Sequence, residues 1–389
     1  MSFCCYTAPL KSNVQSPSNI TTASSNPKKI AFSPTPRLPN EVLQRIISYV
    51  SAIHHPTLAA CCRVSKDLNS MAEPLLWRWF TLTPPPLEID DSEQNNDESF
   101  LTTSIWTKET LKMVQILDLK THPEEWCDPY QERSLVLPNL RTLRLTIESI
   151  SYVGYEARFH YSILTPRNLE DELSCHFAKY SSMPKTVVSR QGPSIGIDSD
   201  HILPAIWKYV ETMIFVVPPA YSVSLERRLS LNLSASLPKL KRICIVYNPT
   251  GISAQSPAAT CGRHIEDQQI ITKLIIYNPN CKFTIINSGF TNIRFPSRYR
   301  PTIQEAQDSY AETFDKALAD HLEELQNNSR SNAENHLKYL NAASFLTLDE
   351  FIEREDWYDW FQVAELDQWK RIVDEVDSHI KNRKKQNVE

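Results

Sequence analysis

The stretch "LPNLRTLRL", residues 137–145, returns as "LPKLKRICI" at residues 237–245, and both follow the order Leu-Pro-x-Leu-x-x-aliphatic-x-aliphatic. Proline fixes a turn, and the alternation after it puts Leu143 with Leu145, and Ile243 with Ile245, on one face of a strand. "LPAIWKYVETMIF", residues 203–215, is a looser copy with strand-facing positions at Val210, Met213 and Phe215. "VQILDLKTH" (114–122), "LRTLRLTIES" (140–149), "ARFHYSILTP" (157–166), "VETMIFVVPP" (210–219), "LKRICIVYNP" (240–249) and "CKFTIINS" (281–288) have the same β-branched texture and are predicted strands. Ile116 to Leu143 and Met213 to Ile243 each span one repeat length, while the stretch between them needs degenerate units.

This pattern resembles leucine-rich repeats. The resemblance implies that the spaced Leu and Ile side chains point inward from each strand and that the residues between them line a concave surface. Residues 105–290 are therefore expected to form an irregular, solenoid-like α/β domain; an ordinary α/β or α+β domain is the alternative. Beyond about residue 300 the strand signals stop, and residues 301–380 read as helical. Thr302 with Glu305 and Thr347 with Glu350 form two capping boxes. The second precedes "FIEREDWYDWFQVAELDQWKRIVDEV" (351–376), whose Phe351, Trp357, Tyr358, Trp360, Phe361 and Trp369 carry too much aromatic surface to stay in water. Either they cap the open end of the solenoid or they form a recognition surface. The basic tail, residues 381–389, begins "KNRKKQ" and reads as a frayed end.

Composition narrows the chemistry. The chain has 389 residues and a formal charge of −5, so it offers no basic field for nucleic acid. Its 6 glycines against 26 prolines disfavour chemistry built on glycine loops, and neither GxGxxG nor GxxxxGK[ST] occurs. The 9 cysteines include no CxxC, and no apolar run is long enough to span a membrane, which predicts a reducing cytoplasmic or nuclear setting without a disulfide framework.

The N-terminal side is organised differently. Residues 1–36 are rich in Ser, Thr, Asn and Pro without apolar periodicity and read as a flexible arm. From Leu38 an amphipathic helix is predicted, with Pro39 in its first turn and an end near "IHHP", because Pro56 disfavours helical backbone at His55. Thr57 is expected to cap a second helix and Ser65 a third, which Pro74 should interrupt. "PPPLEIDDSEQNNDES", within residues 84–100, reads as an acidic linker or loop.

Residues 37–80 resemble an F-box. Leu38, Pro39, Glu41, Val42, Leu43, Ile46 and Ile47 match its opening L-P-x-E-[VL]-L and the aliphatic pair one turn on. Leu58, Val64, Ser65 and Lys66 match the middle segment; Pro74, Leu76, Trp77 and Arg78 match the closing P-x-L-W-[RK]. Leu68 stands where many members carry tryptophan. The resemblance implies docking on a Skp-family adaptor, and through it on a cullin, with protein targets held by the downstream domain. The residues it assigns to the adaptor are Leu38, Pro39, Val42, Leu43, Ile46, Ile47, Leu58, Val64, Leu76 and Trp77. Packing of this face against the chain's own downstream domain is the competing use.

The expected architecture is thus an α+β multidomain chain: a three-helix F-box bundle, a solenoid-like α/β domain and C-terminal capping helices. The expected role is a non-catalytic substrate receptor of a ubiquitin ligase, with a scaffold that delivers no substrate as the alternative. No cofactor, nucleic acid or membrane partner is expected. His54, His55, Cys61 and Cys62 have no zinc-site spacing, no GxSxG elbow occurs, and "HIEDQ" at His264 lacks the second histidine of a metalloprotease helix.

Overall fold

The computed structural model describes residues 38–53, 55–82, 108–120, 137–146, 183–190, 208–217, 237–250, 264–292, 301–328, 339 and 343–386. The arm at 1–36, the acidic stretch at 84–100 and the strand expected at 157–166 lie outside them. The chain divides into two compact units, residues 1–43 and 44–389, with the boundary one turn into helix α1 (Asn40–Ile53). In the first unit the Pro39 carbonyl accepts from Val42 N at 3.0 Å and Leu43 N at 3.1 Å, which opens the helix as the Leu-Pro start predicts.

The second unit begins with the rest of α1, α2 (His55–Val64) and α3 (Lys66–Leu76). Ile47, Leu58 and Ala72 form their small core, with Val50, Cys61, Leu68, Met71 and Leu75 packed against it. Ser65 caps α3 by accepting from Leu68 N at 3.1 Å. Two expectations shift. Helix α2 starts at His55, so Pro56 sits in its first turn and Thr57 lies inside it. Pro74 does not interrupt α3, which runs on to Leu76, because a proline so near the C-terminus removes only one late hydrogen bond.

The sheet begins almost at once. Trp77 closes α3, Arg78 follows, and Trp79 opens β1 (Trp79–Leu82). After α4 (Lys108–Met113) come β2 (Ile116–Lys120), β3 (Thr142–Thr146), β4 (Thr186–Arg190), β5 (Thr212–Val217) and β6 (Arg242–Tyr247). Helix α5 (His264–Tyr277), β7 (Lys282–Ile286), a 3-10 turn (Ser288–Asn292), α6 (Ile303–Asn328) and β8 (Ala343–Leu346) follow. Helices α7 (Leu348–Arg354) and α8 (Val363–Gln386) finish the chain. Among the described residues the eight strands pair in parallel, in the order β1 to β8.

A repeated backbone device sets the register. The carbonyl before one strand accepts two consecutive N–H groups of the next: Arg78 from Gln115 and Ile116, Gln115 from Arg141 and Thr142, and likewise Arg141, Lys185 and Glu211 in turn. The Leu-Pro-x-Leu motifs supply the turn just before it, with Leu140 N donating to Leu137 O at 3.1 Å and Leu240 N to Leu237 O at 3.0 Å. Val114 N and Leu111 O make the same turn before β2 without a proline.

Strand alternation then builds two apolar faces. On the first, Leu117, Leu143, Val187, Met213, Ile243 and Phe283 stand in one cross-strand row. Leu145, Phe215 and Ile245 share that face, so every inward position read from the repeats is buried there, along with Val210. Ile271 and Leu274 of α5 and Tyr310, Phe314 and Leu318 of α6 cover it. On the second face Val188, Ile214, Val216, Cys244 and Val246 are covered by Phe351, Trp357, Phe361, Leu366 and Trp369.

Several expectations are corrected. The sheet spans residues 79–346 rather than 105–290, since β1 and β8 are strands too, and β4 is a further strand within the expected span. Four-residue runs such as "WFTL" and "ASFL" are too short for alternation to show. Helix α5 begins with the polar run "HIEDQQ" and ends with the apolar "LIIY", so no single helical stripe marks it in the sequence. The C-terminal aromatics lie across a sheet face and not at its end, because that face is itself apolar and needs cover. Finally, residues 381–386 continue α8 as helix, where positive side chains suit the C-terminal end of the dipole.

Gly289 packs where a Cβ would run into the carbonyl oxygen of Ile303. Gly289→Ala is expected to cost about 1 to 3 kcal/mol, since backbone rather than a flexible side chain must move. Chemical denaturation checks this, and an unchanged midpoint with unchanged slope would refute it.

Candidate functional site

Helix α1 carries two adjacent apolar stripes at the same helical spacing. Ile47 and Val50 turn into the bundle core, with Ile47 only 3% exposed. Val42, Ile46 and Tyr49 turn to solvent, with Ile46 48% and Tyr49 69% exposed. A helix in water normally keeps one such stripe, and α1 carries a second one that is exposed.

The ten residues assigned by resemblance separate accordingly. Leu38, Pro39, Val42, Ile46 and Val64 are exposed, whereas Leu43, Leu76 and Trp77 are half-buried. Ile47 and Leu58 are interior, Leu58 completely so, and Leu76 packs on the same core. Their role is to hold the helices together, because three short helices have no other core to draw on. Tyr49 was missed by the motif, although its spacing from Val42 and Ile46 places it on their stripe.

Arg78, the last residue matched to the motif, has a different use. It pairs with Asp359, in the turn between α7 and α8. That turn and the start of α8 bring three carboxylates to arginines on the sheet. Glu355 receives both Arg242 Nη1 at 2.7 Å and Arg242 Nη2 at 2.8 Å, a bidentate pair. Glu365 meets Arg190 directly and lies 3.6 Å from Arg144 Nη2. Arg144, 1% exposed, also stands 3.2 Å from Asp118 Oδ2, and its guanidinium stacks 4.5 Å from the Trp79 ring. Arg190 and Arg242 face the rings of Phe361 and Trp360 at 5.5 and 5.4 Å.

Electrostatics follow burial. Loss of water, then the neighbouring Arg190 charge, lowers Arg144 to about 10, while Asp118 and Glu365 work against the shift. It remains a cation near neutrality. The hydrogen bonds from Arg242 hold the Glu355 carboxyl below the usual glutamate range. Burial pushes the Cys244 thiol up to about 11, which removes it as a thiolate nucleophile near neutral pH.

Among the described residues no group of three or more His, Cys, Asp or Glu is placed to hold a metal ion, and no helix is long and apolar enough to cross a membrane. His54 lies outside the described residues. Among the described residues the strand order runs from β1 to β8 without reversing, so no switch-point crevice of the kind where open α/β sheets bind nucleotides arises between those strands.

Residues 35–83 match the family model described as F-box-like, a span slightly wider than 37–80. The chain thus carries an N-terminal F-box. Comparison with curated proteins and with solved structures returns no match.

Two outcomes are expected for the ion pairs. Arg242→Glu should cost about 3 kcal/mol by leaving a carboxylate pair partly buried, and Arg242→Glu/Glu355→Arg should recover most of it. Denaturation of the four proteins of this cycle measures the coupling, and a double variant no better than the single would refute it. Because Glu355 is depressed in the folded protein, its contribution is full at neutral pH and lost as pH falls through that depressed value. The stability gap between wild type and Glu355→Gln should accordingly persist at neutral pH and shrink below about pH 4.3.

Proposed function

We propose that this protein is a non-catalytic substrate receptor of a Skp-cullin-F-box ubiquitin ligase, working in the cytoplasm or nucleus. The observation that carries this reading is the exposed second stripe of α1 inside the F-box-like segment, at Val42, Ile46 and Tyr49. A helix groove on a Skp-family adaptor is the natural complement of such a stripe. Each aliphatic side chain fully buried there contributes about 1.5 to 3 kcal/mol, so a few anchors dominate the affinity. The cullin follows through the adaptor.

The remainder of the chain holds the target. Its reading as a degenerate leucine-rich-repeat array is supported by the strictly sequential parallel strands and by the Leu-Pro-x-Leu turns before β3 and β6. A receptor of this kind accelerates ubiquitin transfer by proximity and needs no bond chemistry of its own.

Capture of a purified Skp-family adaptor by the full-length protein tests the first half. Ile46→Asp, which leaves the bundle core untouched, is expected to weaken capture at least about tenfold, as is Leu38→Ala/Pro39→Ala. Undiminished capture by both variants would overturn the reading. Lifetimes of co-purifying proteins under cullin inhibition test the second half: targets of a receptor are stabilised, whereas partners of a pure scaffold keep their normal turnover.

A further inference from the structure

The turns that precede the strands have outward positions that the core does not use. Leu137, Leu140, Leu237 and Leu240 are buried, whereas Arg141 and Lys241, one residue before β3 and β6, are exposed. The strand register sets equivalent residues side by side. Arg141, Lys185, Glu211 and Lys241 immediately precede Thr142, Thr186, Thr212 and Arg242, which are paired in that order. Their backbones meet in turn: Lys185 N donates to Arg141 O at 2.9 Å, Glu211 N to Lys185 O at 2.8 Å and Lys241 N to Glu211 O at 2.9 Å. Neighbouring strands lie about 4.8 Å apart, so the row from β3 to β6 is about 14 Å long.

The row is unbalanced in charge. Arg141, Lys185 and Lys241 share it with the single carboxylate of Glu211, in a chain whose formal charge is −5. Lys241 takes Glu211 at 2.7 Å, and among the described residues neither Arg141 nor Lys185 has an ion-pair partner. Like charges on adjacent strands repel, and here nothing stands between Arg141 and Lys185 to relieve them. The positive field reaches its neighbours. The hydrogen bond from Lys241, and then the charges of Lys241, Lys185 and Lys239, hold the Glu211 carboxyl below the usual glutamate range. Burial, and then the Arg141 charge, lowers Arg78.

Apolar surface accompanies the cations. Met183 and Tyr209 stand two residues before Lys185 and Glu211, the place that Lys239 holds before Lys241. Met183 is 53% exposed, Tyr209 is half-buried, and Lys239 Nζ lies 4.5 Å from the Tyr209 ring centroid. Arginine, methionine and tyrosine are residues that protein interfaces favour.

We propose that the edge of the sheet where β3 to β6 begin binds an acidic, extended segment of a partner protein, with carboxylates on Arg141 and Lys185 and an apolar side chain against Met183 and Tyr209. An extended chain rises about 3.3 Å per residue, so four or five residues span the row. A long polyanion fits less well, because beyond the row it meets a chain of net negative charge. As a statement about targets this rests on the receptor reading above; peptide binding itself needs no adaptor.

The test uses the full-length protein and a fluorescently labelled peptide of glutamates interrupted by leucine, about eight residues long. Arg141→Glu/Lys185→Glu is expected to bind it at least about tenfold more weakly than wild type does. Lys316→Glu/Arg383→Glu, exposed on α6 and α8, changes the net charge equally and is expected to bind within about twofold of wild type. No measurable binding by wild type, no loss in the first variant, or equal loss in both overturns the proposal. So does tighter binding of a single-stranded oligonucleotide or of anionic phosphatidylserine vesicles than of the peptide. If the reversed variant does not fold, Arg141→Gln/Lys185→Gln replaces it, with an expected loss of at least about threefold. Adaptor capture by the same proteins reads the receptor proposal separately, since Ile46 and Tyr49 are unchanged.

Discussion

A parallel sheet with hydrocarbon on both faces must be covered twice, and most of this structure follows from that requirement. The first face takes helices α5 and α6. The second face takes the last part of the chain, so residues near 360 must meet strands that begin near 79. Covering that face draws arginines and carboxylates out of water together. Arg144 is tolerated in the interior because Asp118, Glu365 and the Trp79 ring surround it.

The same requirement ties the small helical bundle to the sheet. One residue separates the cap of α3 from β1, and the carbonyl of that residue, Arg78, already accepts two N–H groups from the approach to β2. Phe80 is buried on the first face and Trp79 stacks on Arg144 from the second. A bundle whose core is little more than Ile47, Leu58 and Ala72 gains from this continuity what its own burial does not supply. Helix α1 can then afford to leave Ile46 and Tyr49 in solvent.

Among the described residues Arg242 pairs with Glu355, Arg190 with Glu365 and Arg144 with Asp118, and burial pushes the Cys244 thiol up to about 11.

The sequence by itself determined the F-box, through an ordered set of residues close together along the chain. It also determined the inward strand positions, because alternation and the Leu-Pro-x-Leu turns act within a few residues: Leu143, Met213, Phe215 and Ile245 all lie where period-two spacing puts them. The capping boxes at Thr302 and Thr347 were legible for the same reason. Only the tertiary structure decided which matched residues of α1 stay outside, since Ile46 and Ile47 are chemically alike and differ by one step around a helix. Only it decided that Phe351, Trp357, Phe361 and Trp369 lie across a sheet face and that Arg78 answers to Asp359. Those contacts join residues hundreds of positions apart, and no local period encodes a partner at that distance.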